Sequence, residues 1–124
     1  MSVRKETRQK HKRWKRRQLH VRRTIYGAAE RPRLCVNRSR SNISCQAIDD
    51  SKGVTLAAVS TLQGDLRGQG PGGNCKAAAA VGTKIAEKLK ELGLSSAQFD
   101  RRGYRYHGRV KALVEAVRAA GVKV

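Results

Sequence analysis

The stretch Phe99-Asp100-Arg101-Arg102-Gly103-Tyr104-Arg105-Tyr106-His107-Gly108-Arg109-Val110 reads as a strand end, a glycine-bearing loop and the start of a helix. Phe99 closes a short apolar run and Gly103 breaks it. From Val110 onward the apolar residues recur at helical spacing. Three of the chain's five Phe, Trp and Tyr residues lie here, among four arginines and the only histidine outside the N-terminal region. Loops held between rigid elements often carry function. Tyrosine rings beside guanidinium planes suit stacking on bases and pairing with phosphates. The alternative is that Tyr104 and Tyr106 cap the core while the arginines are merely solvated. The residues alone leave both open.

The 124 residues make one domain plus a tail. Lys and Arg number 28 against 9 Asp and Glu, a net charge of +19. A chain this basic repels itself unless a polyanion compensates it, so nucleic acid is the default partner. No apolar run is long enough to span a membrane. The N-terminus is basic but lacks the apolar stretch of a secretion signal. It is also too uniformly charged for a typical mitochondrial presequence. Cys35, Cys45 and Cys75 form no close pair and no zinc-type spacing. An odd count without a signal peptide argues for reduced thiols in a cytosol. Cys35 and Cys45 either face each other across a hairpin or are simply small buried thiols. No metal or cofactor is implied.

Residues 1–26 form a basic arm, with eleven Lys and Arg through Arg23 opposed only by Glu6. Arg, Lys and Gln favour helix, and no Pro or Gly interrupts before Gly27. Like charges four apart oppose a free helix, so the arm is expected to fray alone and become helical when phosphates neutralise it. Trp14 either stacks on a base or packs on the body. Residues 27–32 form a hinge punctuated by Gly27 and Pro32. The compact body occupies residues 33–124.

Three strands follow the hinge, over 33–39, 43–49 and 54–60. The first places Leu34 and Val36 on one face, and the second places Ile43, Cys45 and Ala47 there. Asp50-Ser51-Lys52-Gly53 is a reverse turn, and links this short make the three an antiparallel meander. The glycine-rich stretch 62–74 superficially resembles a phosphate loop but lacks the Gly-Lys-Ser/Thr ending, so nucleotide binding is rejected. Residues 75–92 are a helix with the stripe Ala78, Val81, Ile85, Leu89 and Leu92; Gly82 implies close approach to the sheet, and Gly93 is a stop. A short strand over 97–100 is expected to run parallel to its neighbour. A last helix, from 107 or 108 to 120, buries Val110, Leu113, Val114 and Val117, and Val122 and Val124 pack back. The order is arm, β-β-β-α-β-α. This is an α/β body in which two helices cover a three-stranded antiparallel meander plus one parallel strand.

With that order in place, two long motifs become recognisable. Ala29-Glu30-Arg31-Pro32-Arg33-Leu34-x-Val36, then Arg38-Ser39, then Ile48-Asp49-Asp50-x-Lys52-Gly53 form the first. Phe99-Asp100-Arg101-x-Gly103-Tyr104-x-Tyr106-His107-Gly108-Arg109-Val110-Lys111-Ala112-Leu113 forms the second. Together they resemble the bacterial large-subunit ribosomal protein eighteen family, from the arm to the C-terminus, with 62–74 matching least. The resemblance implies a ribonuclease-H-like α/β domain that binds 5S rRNA. It also implies attachment of that RNA to 23S rRNA in the central protuberance, among neighbouring large-subunit proteins of a cytoplasmic ribosome. Three departures stand out. Arg102 replaces a usual glycine, Asn37 replaces a usual aromatic, and residues 64–73 are unusually glycine-rich.

On this reading the arm supplies phosphate contacts through Arg13, Lys15, Arg16, Arg17, Arg22 and Arg23. Arg33, Arg38, Arg40 and Asn42 line a strand-and-turn surface. The loop adds Arg101, Arg102, Tyr104, Tyr106, His107 and Arg109. His107 has a competing role as a cap for the last helix. Asp100 either accepts from the loop's amides or holds Arg109. Two rivals remain: a nonspecific nucleic-acid-compacting basic protein, and a metal-dependent nuclease using Asp49, Asp50, Asp100 and Glu115. Nothing in the sequence places those acids together, so the chain is read as no enzyme.

Overall fold

A computed structural model of the chain describes residues 3–23, 25–62, 74–102 and 104–124. Its elements are α1 (Val3–Arg22), β1 (Arg33–Arg38), β2 (Ile43–Asp49), β3 (Val54–Ser60), α2 (Cys75–Glu91), β4 (Gln98–Asp100) and α3 (Arg109–Ala119). The four strands form one sheet in the order β3-β2-β1-β4. β1 and β3 pair antiparallel with β2, and β4 pairs parallel with β1. This is the mixed α/β sheet expected from the sequence. The glycine-rich stretch lies, from 63 to 73, outside the described residues.

Alternation along the strands divides the sheet into two faces. Leu34, Val36, Ile43, Cys45, Ala47 and Val59 are buried in one core with Ala78, Val81, Ile85 and Leu89 of α2 and Leu113 and Val117 of α3. The opposite face carries Arg33, Cys35 and Asn37 of β1, in register with Ile48, Gln46 and Ser44 of β2. Cys35 and Cys45 therefore do not meet. Val36 is the partner of Cys45, and the two thiols sit on opposite faces of the sheet. Burial pushes both thiols up, and the Asp100 carboxylate adds to the effect at Cys35.

Local chemistry sets the ends of the elements. Asp49 accepts from Ser51 N at 3.0 Å, and Gly53 turns the chain into β3 at φ 66°. Asn74 caps α2 by accepting from Ala77 N at 2.8 Å. After α2 the chain reverses at Gly93, φ 77°. Leu92 does not extend the buried stripe. It is the C-cap, and the turn beyond it leaves its side chain 53% exposed. Gly82 permits a close approach, but to α3 rather than to the sheet: a Cβ there would lie 2.3 Å from the Leu113 carbonyl oxygen. After α3, Val122 is buried, and Lys123 forms an isolated parallel bridge with Ser96, which holds the C-terminal residues beside the segment leading into β4.

Gly27, at the start of the 27–32 stretch, is bonded to the body. Gly27 N donates to Asp50 Oδ2 at 2.7 Å, and Asp50 N donates to the Gly27 carbonyl at 2.9 Å. A Cβ at Gly27 would fall 2.3 Å from the Ile48 carbonyl oxygen and 2.6 Å from Arg33 N, so only glycine fits against these strands.

Candidate nucleic-acid interface

Along α1, Trp14, Gln18 and Arg22 are half-buried, whereas Arg13, Lys15, Arg16 and Arg17, and Arg23 just after the helix, are exposed. Positions 14, 18 and 22 are four apart and share one helical face. All three have partners. The Trp14 and Tyr104 ring centroids lie 4.6 Å apart with planes tilted by 54°. The Gln18 carboxamide, oriented with its oxygen toward the donors, accepts from Trp14 Nε1 at 2.6 Å and from Arg102 Nη2 at 3.1 Å. Arg22 pairs with Asp50 at 3.1 Å and donates to the Ile25 carbonyl. Trp14 thus packs on the body, which decides one alternative the residues left open. Arg17 lies over the indole, 5.8 Å from the ring centroid.

Tyr104 is enclosed on several sides. Its ring takes Trp14 against it and the Arg38 guanidinium above it, 4.6 Å from the centroid. Its hydroxyl accepts from Arg38 N at 3.3 Å and donates to the Arg38 carbonyl at 3.1 Å. Tyr104 caps the core edge, and the ring is already occupied by protein. Tyr106 differs: it is exposed, and its hydroxyl accepts from Arg118 Nη1 at 3.3 Å.

Several arginines of the candidate set hold the protein together. Arg33, with a side chain 12% exposed, forks onto Asp50 through Nε at 3.1 Å and Nη2 at 3.2 Å, and reaches Asp100 through Nη1 at 2.9 Å. Burial by itself would lower the Arg33 pKa, but the bonds to Asp50 and Asp100 outweigh it and raise it. Arg33 is therefore an internal charge hub rather than part of an open surface. Arg101 donates to the Tyr104 carbonyl at 2.8 Å, and Arg109 to the Ser39 carbonyl at 2.8 Å. Arg102 donates from N to Asp100 Oδ1 at 2.8 Å and from Nη1 to Asn37 Oδ1 at 3.1 Å. Asp100 thus serves the loop amide and Arg33, not Arg109. His107 caps nothing: the N-cap of α3 is Gly108, which has no side-chain bond, and the imidazole is exposed.

Exposed cations remain. Arg40 sits on the β1–β2 turn beside a cleft of about 170 Å³ lined by Asn37, Ser39, Asn42, Ile43, Ser44, Ser60 and Leu62. The Asn42 side-chain oxygen accepts from Thr61 Oγ1 at 2.9 Å. The acids do not gather into a catalytic set. Asp49 is buried against Ser51, Asp50 and Asp100 share Arg33, and Glu115 lies 3.9 Å from Lys111 on the surface. Among the described residues no group of three or more His, Cys, Asp or Glu is placed to hold a metal ion. None of the described helices is long and apolar enough to cross a membrane.

Such an arrangement defines a class: a small basic α/β module that displays cations on one helix face and one loop corner, suited to a polyanion. Comparison with known proteins narrows it. The family model for ribosomal L18 of archaea, bacteria, mitochondria and chloroplasts matches residues 7–124. The large ribosomal subunit protein uL18 of Pelotomaculum thermopropionicum is 56% identical over 108 residues, covering 86% of this chain and 88% of that one. The protein of the same name from Synechococcus sp. is 51% identical over 124 residues, covering 99% and 98%. The chain belongs to the ribosomal L18 family. As a member it is a structural ribosomal protein and not an enzyme.

Proposed function

We propose that this structural constituent of the large ribosomal subunit binds 5S rRNA and helps attach it to 23S rRNA in the central protuberance. The observation that carries the reading is the match to large-subunit relatives along nearly the whole chain, arm included. The distribution of charge supports it. Arg13, Lys15, Arg16 and Arg23 are exposed, with no hydrogen-bond or ion-pair partner among the described residues. On this reading they take phosphates, while Arg40, Asn42, Tyr106, His107 and the remaining donors of Arg101 and Arg109 form a second contact at the loop corner. Tyr104, Arg33, Arg22, Arg38 and Arg102 act one layer behind, shaping the surface rather than stacking on bases.

The test is a footprint of the purified full chain on 5S rRNA, with competition by duplex DNA at moderate salt. Discrete protection that survives the competitor is the expected result. Protection lost equally to any polyanion would leave only a nonspecific nucleic-acid-compacting protein.

A further inference from the structure

We infer that the cleft between the β1–β2 turn and the end of β3 takes one unstacked base of the bound RNA, while the arginines around it hold the flanking phosphates. The inference rests on the RNA-binding reading above and adds what this corner recognises. The chemistry of the cleft separates a base from a phosphate. Serine hydroxyls and asparagine carboxamides line it, and Ile43 and Leu62 supply aliphatic surface. None of the described residues lining it carries a charge. Phosphates are held chiefly by guanidinium and ammonium groups and by backbone amides. Neutral hydroxyls and carboxamides match the donors and acceptors on a base edge, and aliphatic carbon matches its face. The cations stand at the rim. Arg102 Nη1 donates to Asn37 Oδ1 at 3.1 Å, Arg109 Nη1 donates to the Ser39 carbonyl at 2.8 Å, and exposed Arg40 follows Ser39 in the turn.

The walls hold one another. Ser39 N donates to the Asn42 carbonyl at 2.9 Å, and Asn42 N donates to Ser39 Oγ at 3.1 Å, which closes the turn. Thr61 ties that turn to the end of β3: its N donates to the Ile43 carbonyl at 3.1 Å, and its Oγ1 donates to Asn42 Oδ1 at 2.9 Å. Ser44 Oγ donates to the Asn37 carbonyl at 3.4 Å, joining β2 to β1. A site whose walls are already fixed loses little to ordering when it binds. A base contact favours an RNA loop that can splay a base out, and it favours a duplex not at all. It also releases no counterion. Loss of such a contact should therefore weaken binding without flattening its salt dependence, whereas loss of a phosphate contact does both.

Ser44→Phe fills the cleft from β2, and Leu62→Ser removes an aliphatic wall whose side chain is 63% exposed. The full-length wild type and both variants are titrated with 5S rRNA and with duplex RNA. The complexes are then probed with dimethyl sulfate and a carbodiimide, which modify unpaired base edges. The wild type should protect an unpaired base that Ser44→Phe leaves reactive. Ser44→Phe should bind 5S rRNA about tenfold more weakly and Leu62→Ser about threefold, the scale of a single base contact. Affinity for duplex RNA should stay within about twofold, and the slope of log affinity against log salt within about 0.5 of the wild type. Melting curves followed by circular dichroism report whether each variant is folded. If Ser44→Phe is not, Leu62→Ser decides alone, since an exposed side chain is replaced there at little cost to the fold. Unchanged 5S rRNA affinity in the folded variants, or no base re-exposed, overturns the inference. Equal weakening toward duplex RNA, or a flatter salt slope, overturns it as well, because the cleft would then border a phosphate contact. Failure of the wild type to prefer 5S rRNA over duplex DNA sinks the functional reading instead. The same variants on a single-stranded oligoribonucleotide and on its duplex then decide whether the cleft takes a base.

Discussion

Arg102 Nη1 donates to Asn37 Oδ1 at 3.1 Å, fastening the loop after β4 to the far end of β1. Arg102 sits at φ 60°, where a side chain costs about 1–2 kcal/mol and a glycine is at ease. Its side-chain bonds to Asn37 and Gln18 offset that cost.

Arg102→Gly therefore releases strain and removes contacts together. The unfolding free energy of the body should change by less than about 1 kcal/mol, while Trp14 becomes more accessible to quencher. A loss above about 2 kcal/mol in urea denaturation would mean that the Arg102 side chain holds the body itself.

Arg33 joins Asp50 and Asp100, carboxylates far apart in sequence, and the Asp100 side chain is only 4% exposed. Arg33→Met leaves Asp100 with the Arg102 amide as its remaining donor described here. Breaking a buried pair from one side costs about 3–5 kcal/mol. Arg33→Lys should fall between, because one ammonium cannot fork onto Asp50 and reach Asp100 together. Urea denaturation followed by circular dichroism measures both. A loss under about 1 kcal/mol for Arg33→Met would show that water satisfies the carboxylates.

Burial alone would raise the Asp50 carboxyl. Hydrogen bonds from Arg33 and Gly27 N, with the charges of Arg33 and Arg22, outweigh it and hold the group below the usual carboxylate value. A depressed folded pKa means that this contribution is complete above the unfolded value, about 3.9, and fades as pH falls through the lower folded value. Melting curves from pH 7 to 2.5 should show the wild type losing this contribution only below about pH 4. Asp50→Asn should start less stable and lose less over the same interval. Parallel curves would remove Asp50 from the account.

The strand Ile43–Asp49 was legible to its last residue because it alternates and turn sequences bound it on both sides, and Val54–Ser60 began where the Asp50–Gly53 turn ends. Helical periodicity likewise located the core faces of α2 and α3. It failed at Leu92, which keeps the spacing but lies beyond the last turn. The site was legible in composition and not in allocation. A sequence displays a charge without its counter-charge, so Arg33 looked available although its partners are Asp50 and Asp100. Tyr104 suited base stacking equally well, because nothing local encodes the arrival of Trp14 from the other end of the chain. The exposure of Arg13, Lys15 and Arg16 was readable, since a helix with so few apolar residues can bury only a narrow face.

Gly82 tests the packing of α2 on α3. A methyl there would lie 2.3 Å from the Leu113 carbonyl oxygen and 3.0 Å from Ala116 Cβ, so the two helices must part. Overpacking costs about 1–3 kcal/mol, and the better helix propensity of alanine returns up to about 1 kcal/mol. Gly82→Ala should therefore destabilise by about 1–2 kcal/mol in urea, whereas a gain in stability would mean that the contact is looser than described.

Deletion of residues 1–23 separates the arm's part in binding from that of the body. Among the described residues the core draws on β1 to β4, α2, α3 and Val122 and on none of α1, so the shortened chain should keep a cooperative melt. Loss of Arg22 removes one of the cations on Asp50 and leaves Arg33 there. If Arg13, Lys15, Arg16 and Arg23 each neutralise a phosphate, the slope of log affinity against log salt should fall in magnitude by about 3–4 on the duplex scale. Affinity for 5S rRNA should drop most at low salt, where release of counterions contributes most. A shortened chain that binds with the same slope and strength would assign the phosphate contacts to the Arg40 and Tyr106 corner alone, and the outward face of α1 would then have no part in holding the RNA.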